Sequence, residues 1–144
     1  MPPGFIFSSG IWIGEGKITF NTSLEFIKFY TKWEISSENP AFIYAIQKVE
    51  MHGVKDHVVN YFNFKDITPT SFTVLLESEA VGSVQGSGVI NPTVLAWEIR
   101  NPPQFEGFEV YELQENGDYS LHAEYASIDE YRTIIDGLIW KKGS

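Results

Sequence analysis

The chain predicts an all-β protein: a single antiparallel up-and-down β-barrel of about nine or ten strands, in one domain spanning 1–144. Three observations predict it. Aromatic and β-branched residues recur in alternation with polar ones, as in Ile11-Trp12-Ile13, Phe42-Ile43-Tyr44 and Ser71-Phe72-Thr73-Val74-Leu75-Leu76. Successive side chains of a strand point to opposite faces, so this pattern marks strands with one buried and one wet face. Turn residues cut the segments apart along almost the whole chain, and many short antiparallel strands in series hide their edges by closing. A barrel of about ten strands has room for a ligand as well as its own side chains.

Taken in order, a segment 1–9 precedes strands expected at 10–20, 25–35, 41–51, 57–65 and 71–78. Five more follow at 81–90, 93–100, 107–113, 118–126 and 133–141. Between them lie Asn21-Thr22-Ser23, Ser37-Glu38-Asn39-Pro40, His52-Gly53, Thr68-Pro69-Thr70, Asn91-Pro92, Asn101-Pro102-Pro103 and Glu115-Asn116-Gly117-Asp118. Asn116-Gly117 signals a tight hairpin, because both central residues of a type I′ turn take positive φ. No proline falls inside an expected strand, as a hydrogen-bonded ladder requires. Two stretches also fit helices. Ser127-Ile128-Asp129-Glu130 has capping-box spacing, with Ile128, Tyr131 and Ile135 on one helical face, and Asn21-Thr22-Ser23 is placed to cap a helix over 24–32. Gly14, Gly16, Gly82, Gly86 and Gly88 sit inside strands at period two, where glycine lets a barrel strand coil sharply or a ligand approach the backbone.

Composition narrows the function classes. The net charge is −9 and the largest basic cluster is Lys141-Lys142, which disfavours nucleic acid and an anionic membrane surface as partners. The absence of cysteine removes disulfides, thiolate catalysis and cysteine-held metals. The opening Met1-Pro2-Pro3-Gly4-Phe5-Ile6-Phe7 lacks the charged and apolar regions of a secretory leader, and no run approaches a membrane span, so a cytoplasmic location is expected. The terminal Gly143-Ser144 fits a cloning remnant.

The segment Gly10-Ile11-Trp12-Ile13-Gly14-Glu15-Gly16 resembles the opening of the calycin superfamily, whose first strand carries glycine, one residue, then tryptophan. The fuller Gly-x-Trp-x-Gly-Glu-Gly form is similar to the nitrobindin-like branch, small ten-stranded barrels related in shape to fatty-acid-binding proteins and lipocalins. Trp33-Glu34-Ile35-Ser36, and Phe42-Ile43 followed by Gln47-Lys48, are weaker echoes, so the motif match covers the first third of the chain. The resemblance implies a barrel with a cavity and, as in nitrobindins, a haem held by a histidine near the C-terminus. This chain departs there: after Tyr125 it reads Ala126-Ser127-Ile128-Asp129-Glu130-Tyr131 and has no further histidine. Its histidines are His52, His57 and His122, and no cofactor is expected.

Strands seven to ten concentrate the hydrogen-bonding side chains, in Trp97-Glu98-Ile99-Arg100, Glu109-Val110-Tyr111-Glu112, Leu121-His122-Ala123-Glu124-Tyr125 and Tyr131-Arg132. Two arrangements fit. In one, these groups converge on the cavity, where arginine and tyrosine pair a carboxylate or oxyanion, and His122 with Glu124 supplies a base and an acid. In the other, Leu95, Trp97, Phe108, Val110, Leu121 and Ala123 fill the interior while the charges pair across strands outside. Strand parity decides, since a slip of one residue reverses every side chain. The expected ligand-contacting set is Trp33, Trp97, Tyr111, His122, Glu124 and Arg132, with Glu98 and Arg100 as a charged pair close by. No histidine pair has metal-ligand spacing, no Gly-x-Ser-x-Gly elbow occurs, and Gly86-Ser87-Gly88 lacks the lysine and helix of a phosphate loop.

The reading that follows is a metal-free binding barrel for a small hydrophobic or amphipathic molecule. The alternative is an enzyme of calycin type, a haem-dependent or cofactor-free isomerase or cyclase using His122 and a nearby carboxylate. A third class is a purely interactive barrel with a filled interior, in which Phe26, Tyr30 or Tyr44 forms an outward homodimer patch.

Overall fold

The computed structural model describes residues 4–79, 82–101, 105–127 and 132–143. It is an all-β, closed antiparallel barrel of ten strands in the ring order β1-β10-β9-β8-β7-β6-β5-β4-β3-β2. The strands are β1 (Gly10–Phe20), β2 (Phe26–Ser36), β3 (Ile43–Met51), β4 (Val58–Lys65) and β5 (Ser71–Ser78). The second half adds β6 (Gly82–Ile90), β7 (Val94–Asn101), β8 (Phe105–Leu113), β9 (Tyr119–Ser127) and β10 (Arg132–Lys141). Each strand pairs with its neighbours in sequence, and β1 closes the ring on β10 with Gly16 opposite Gly137. This is the up-and-down topology that the alternation predicts.

Alternation sets the wall. Trp12, Gly14 and Ile18 of β1 face inward, as do Phe29, Thr31, Trp33 and Ile35 of β2 and Phe72, Val74 and Leu76 of β5. The helical alternative over 24–32 gives way to a strand. Residues 26–32 belong to β2, and Ile135 lies within β10; the segment 128–131 is outside the described residues. Phe29, Thr31 and Trp33 hold one buried face at period two, which no helix of 24–32 can reproduce.

Several connections are made by the residues that break the pattern. Asn39 Oδ1 accepts from the Ala41 N–H, Asn91 Oδ1 from those of Thr93 and Val94, and Thr68 Oγ1 from those of Thr70 and Ser71. Such side chains stand in for backbone partners in turns. At Asn116-Gly117 a hairpin forms as expected, but only Gly117 takes positive φ, at 91°. Asn116 instead accepts the Asp118 N–H on its side-chain oxygen at 3.0 Å, and Gly117 N–H closes on Gln114 at 3.1 Å. A turn with one left-handed glycine replaces the type I′ form.

The strand glycines serve barrel curvature. A Cβ on Gly16, Gly86 or Gly137 would run into the backbone oxygen of Asp136, Glu98 or Glu15 respectively, so sharp coiling brings neighbouring strands over these positions. A Cβ on Gly88 would occupy the ring of Phe72.

One element escapes the sequence reading. Phe5–Phe7 form a 3₁₀ turn in the segment before β1, with all three side chains buried. Phe5 packs on Trp12, Trp33, Tyr111 and Tyr119, at ring-centroid distances of 4.8–5.7 Å. The turn stops the barrel at the end where β1 begins, and Trp12 is part of the same stopper. No helix among the described residues is long and apolar enough to cross a membrane.

Candidate functional site

The opposite half of the barrel interior, toward the end where β1, β3, β5 and β9 finish, is hollow. A cavity of about 330 Å³ is lined there by residues that include Ile18, Phe29, Gln47, Val49, Asn60, Phe62, Leu76, Phe105, Glu109, Leu121, Ala123, Tyr125 and Ile135. Val49, Phe105, Tyr125 and Ile135 are only partly buried, whereas the stopper at the other end is closed. A broader depression of about 710 Å³ lies over β4–β6, but exposed side chains such as Tyr61, Glu77 and Ser83 form it. The interior cavity is the better site, because concave apolar surface with a few convergent polar groups is what small ligands occupy.

Two polar groupings interrupt its apolar wall. On β8, Glu109 is buried and accepts from two tyrosine hydroxyls: Tyr111 O–H donates to Oε1 at 2.6 Å, and Tyr125 O–H donates to Oε2. Period two puts Gly107, Glu109 and Tyr111 on one face of β8. Gly107 lies opposite Tyr125 of β9, and a Cβ there would collide with that tyrosine's ring. The missing side chain lets the Tyr125 ring lie across β8 and reach Glu109, stacked on Phe105 at 5.3 Å. Burial pushes the Glu109 carboxyl above its ordinary value of 4.5, and the bonds from Tyr111 and Tyr125 pull it only part of the way back. The Trp97 indole N–H draws on the same carboxylate without reaching hydrogen-bond geometry. Burial first, then the charge of Glu109, holds both tyrosine hydroxyls well above 10.0.

The second grouping lies across the barrel. Asn60 Nδ2 donates to Gln47 Oε1 at 2.9 Å, and Gln47 Nε2 donates to Thr31 Oγ1 at 3.3 Å. Glu109 on β8 and Gln47 on β3 stand five strands apart in a ring of ten, so the polar groups face each other over apolar walls.

The sequence-predicted residues divide by parity. Trp33, Trp97 and Tyr111 point inward and are packed together, with Trp97 5.2 Å from Tyr111 and 6.2 Å from Trp33. They form the floor beneath the cavity: Trp33 rests 5.0 Å from Phe62, which lines it. Glu98, Arg100, His122, Glu124 and Arg132 point outward. Arg100 pairs with Glu98 at 3.5 Å, and Glu124 accepts from Arg132 at 2.9 Å. His122 sits between Glu124 at 2.9 Å and Asp136 at 2.6 Å. The bond to Asp136 first, and that to Glu124 next, raise the His122 pKa above 6.5, while His122 lowers that of Glu124. Glu98, Arg100, Glu124 and Arg132 do come together, around a shallow outer groove of about 150 Å³. Of the apolar residues expected inside, Leu95, Trp97, Leu121 and Ala123 are buried there, while Phe108 and Val110 take the outer face.

None of the three histidines lines the cavity. His52 is in a turn, His57 faces Glu50 outside at 3.4 Å, and His122 belongs to the outer network, so a histidine-held haem finds no ligand in it. Glu109, Tyr125, Gln47 and Asn60 were missed as site residues. One signal was present: Tyr111 taken as inward-facing carries Glu109 inward with it.

No family model matches the chain, and no curated protein sequence matches it. Solved structures do. Rv2717c from M. tuberculosis superposes with a TM-score of 0.72 at 10% identity, over 93% of this chain and 92% of that one. EF1p2_mFAP2b bound to DFHBI (0.47, 14% identity, 93% of each chain) and the M. tuberculosis PknI sensor domain (0.39, 12% identity, 95% and 88%) are more distant. The likeness to Rv2717c is one of fold: a closed barrel shared over nearly the full length.

Proposed function

We propose that the chain is a small-molecule-binding barrel of calycin type that holds an amphipathic ligand in its central cavity, in the cytoplasm. One observation carries this: an apolar cavity of about 330 Å³ with a buried, tyrosine-clamped carboxylate in its wall. That volume is at the small end of the range for ligand sites, which suits a short-chain or single-ring molecule. Buried polar groups are costly to keep unless they orient something, and here they sit where an apolar body would leave its head group. An enzyme built on His122 and a carboxylate draws no support from a cavity that contains neither His122 nor Glu124.

The test is occupancy. Native mass spectrometry of protein purified without denaturation is expected to show an added small-molecule mass, and a neutral hydrophobic dye should bind the emptied protein. Val49→Trp, which fills the cavity from a partly exposed wall position, should weaken the dye by about tenfold with an unchanged circular dichroism spectrum. Undiminished dye binding to that variant would place the dye elsewhere and end the proposal.

A further inference from the structure

We infer that the cavity selects amphiphiles with a protonated amine head group and discriminates against carboxylates. The inference rests on the cavity-binding reading and deepens it. A tyrosine hydroxyl has one hydrogen to give, and those of Tyr111 and Tyr125 are both spent on Glu109. What faces the cavity from β8 and β9 is therefore acceptor: the remaining lone pairs of the carboxylate and of the Tyr125 oxygen. Among the described residues, those lining the cavity include no lysine, arginine or histidine to balance Glu109. On the opposite wall the amides of Gln47 and Asn60 are engaged with each other and with Thr31.

A buried carboxylate without a cation is an incomplete pair, and burial magnifies what a partner charge contributes. A ligand ammonium would supply both the charge and the donors. A ligand carboxylate would bring a second negative charge to a site where both tyrosine hydroxyls beside Glu109 are already used, and like charges in a desolvated site repel strongly. The apolar walls of Phe29, Phe62, Leu76 and Leu121 would take the hydrocarbon body.

Displacement of a neutral hydrophobic dye by decylamine, decanol and decanoate at neutral pH tests this. Decylamine is expected to displace at about ten- to a hundredfold lower concentration than decanoate, with decanol between them. Glu109→Gln should collapse that gap, with decylamine losing far more than decanol. Decanoate binding as well as decylamine would overturn the inference and leave the cavity proposal standing, whereas failure of the dye and all three probes would overturn both. A preference that survives Glu109→Gln would trace to the overall charge of −9 and also overturn it. Should the variant not fold, the parent protein still decides. Glu109 is faced by Tyr111 from its own strand, Tyr125 from β9 and Trp97 from β7; both tyrosine hydroxyls are held well above 10.0, so the carboxyl is the group among these whose charge is lost as pH falls. The advantage of decylamine over decanol should shrink as pH falls, and an unchanged advantage down to about pH 5 would count against Glu109 as the partner.

Discussion

Glu109 is the one acidic side chain buried inside the described part of the barrel, and its surroundings make its charge expensive to keep in the empty protein. Its pKa is raised in the fold, so the native state holds the proton to higher pH than the unfolded chain does. Stability from this residue therefore falls as pH rises through the ordinary value of 4.5 toward the raised one. Glu109→Gln removes the titration and keeps the size. We expect the variant to gain urea resistance relative to the parent between about pH 5 and pH 8. A difference between the two that stays flat with pH would mean that the carboxyl ionises in place without penalty.

At the scale of the element, the 3₁₀ turn at Phe5–Phe7 is short but carries three fully buried side chains. Phe5 touches four aromatic rings from β1, β2, β8 and β9, and so joins strands from both halves of the chain. Truncating a buried phenylalanine loses its transfer energy and leaves a cavity, so Phe5→Ala should cost about 3–5 kcal/mol in urea denaturation. A cost below about 1 kcal/mol would show that the turn merely lies against a barrel end that closes without it. By contrast, the Arg132, Glu124, His122 and Asp136 chain joins β9 to β10 on a wet face, where exposed pairs contribute little.

Across the whole molecule, closure of β1 on β10 removes both sheet edges and makes the barrel one cooperative unit. The seam passes through Gly16 and Gly137, where neither strand leaves space for a Cβ. Gly137→Ala is expected to cost about 1–3 kcal/mol through overpacking. Its unfolding should remain a single transition, coincident by near- and far-ultraviolet circular dichroism. Two separated transitions would show that the seam opens as an independent event.

By itself the sequence determined the strands, their order and the closure, because period-two alternation and turn chemistry are local properties that survive without knowledge of partners. All ten strands lie within about two residues of their expected bounds. The expected ligand contacts Trp33, Trp97 and Tyr111 do point inward, where they pack as the floor beneath the cavity. The tertiary structure decided which face of β9 turned inward. Alternation says that His122 and Glu124 oppose Leu121 and Ala123, but not which pair meets the core, and desolvating the charges would have cost far more than exposing the apolar pair. It also decided that Glu109 is buried. That carboxylate is tolerated inside because Gly107 lets the Tyr125 ring cross β8, and the contact between residues on paired strands exists only once the register is set.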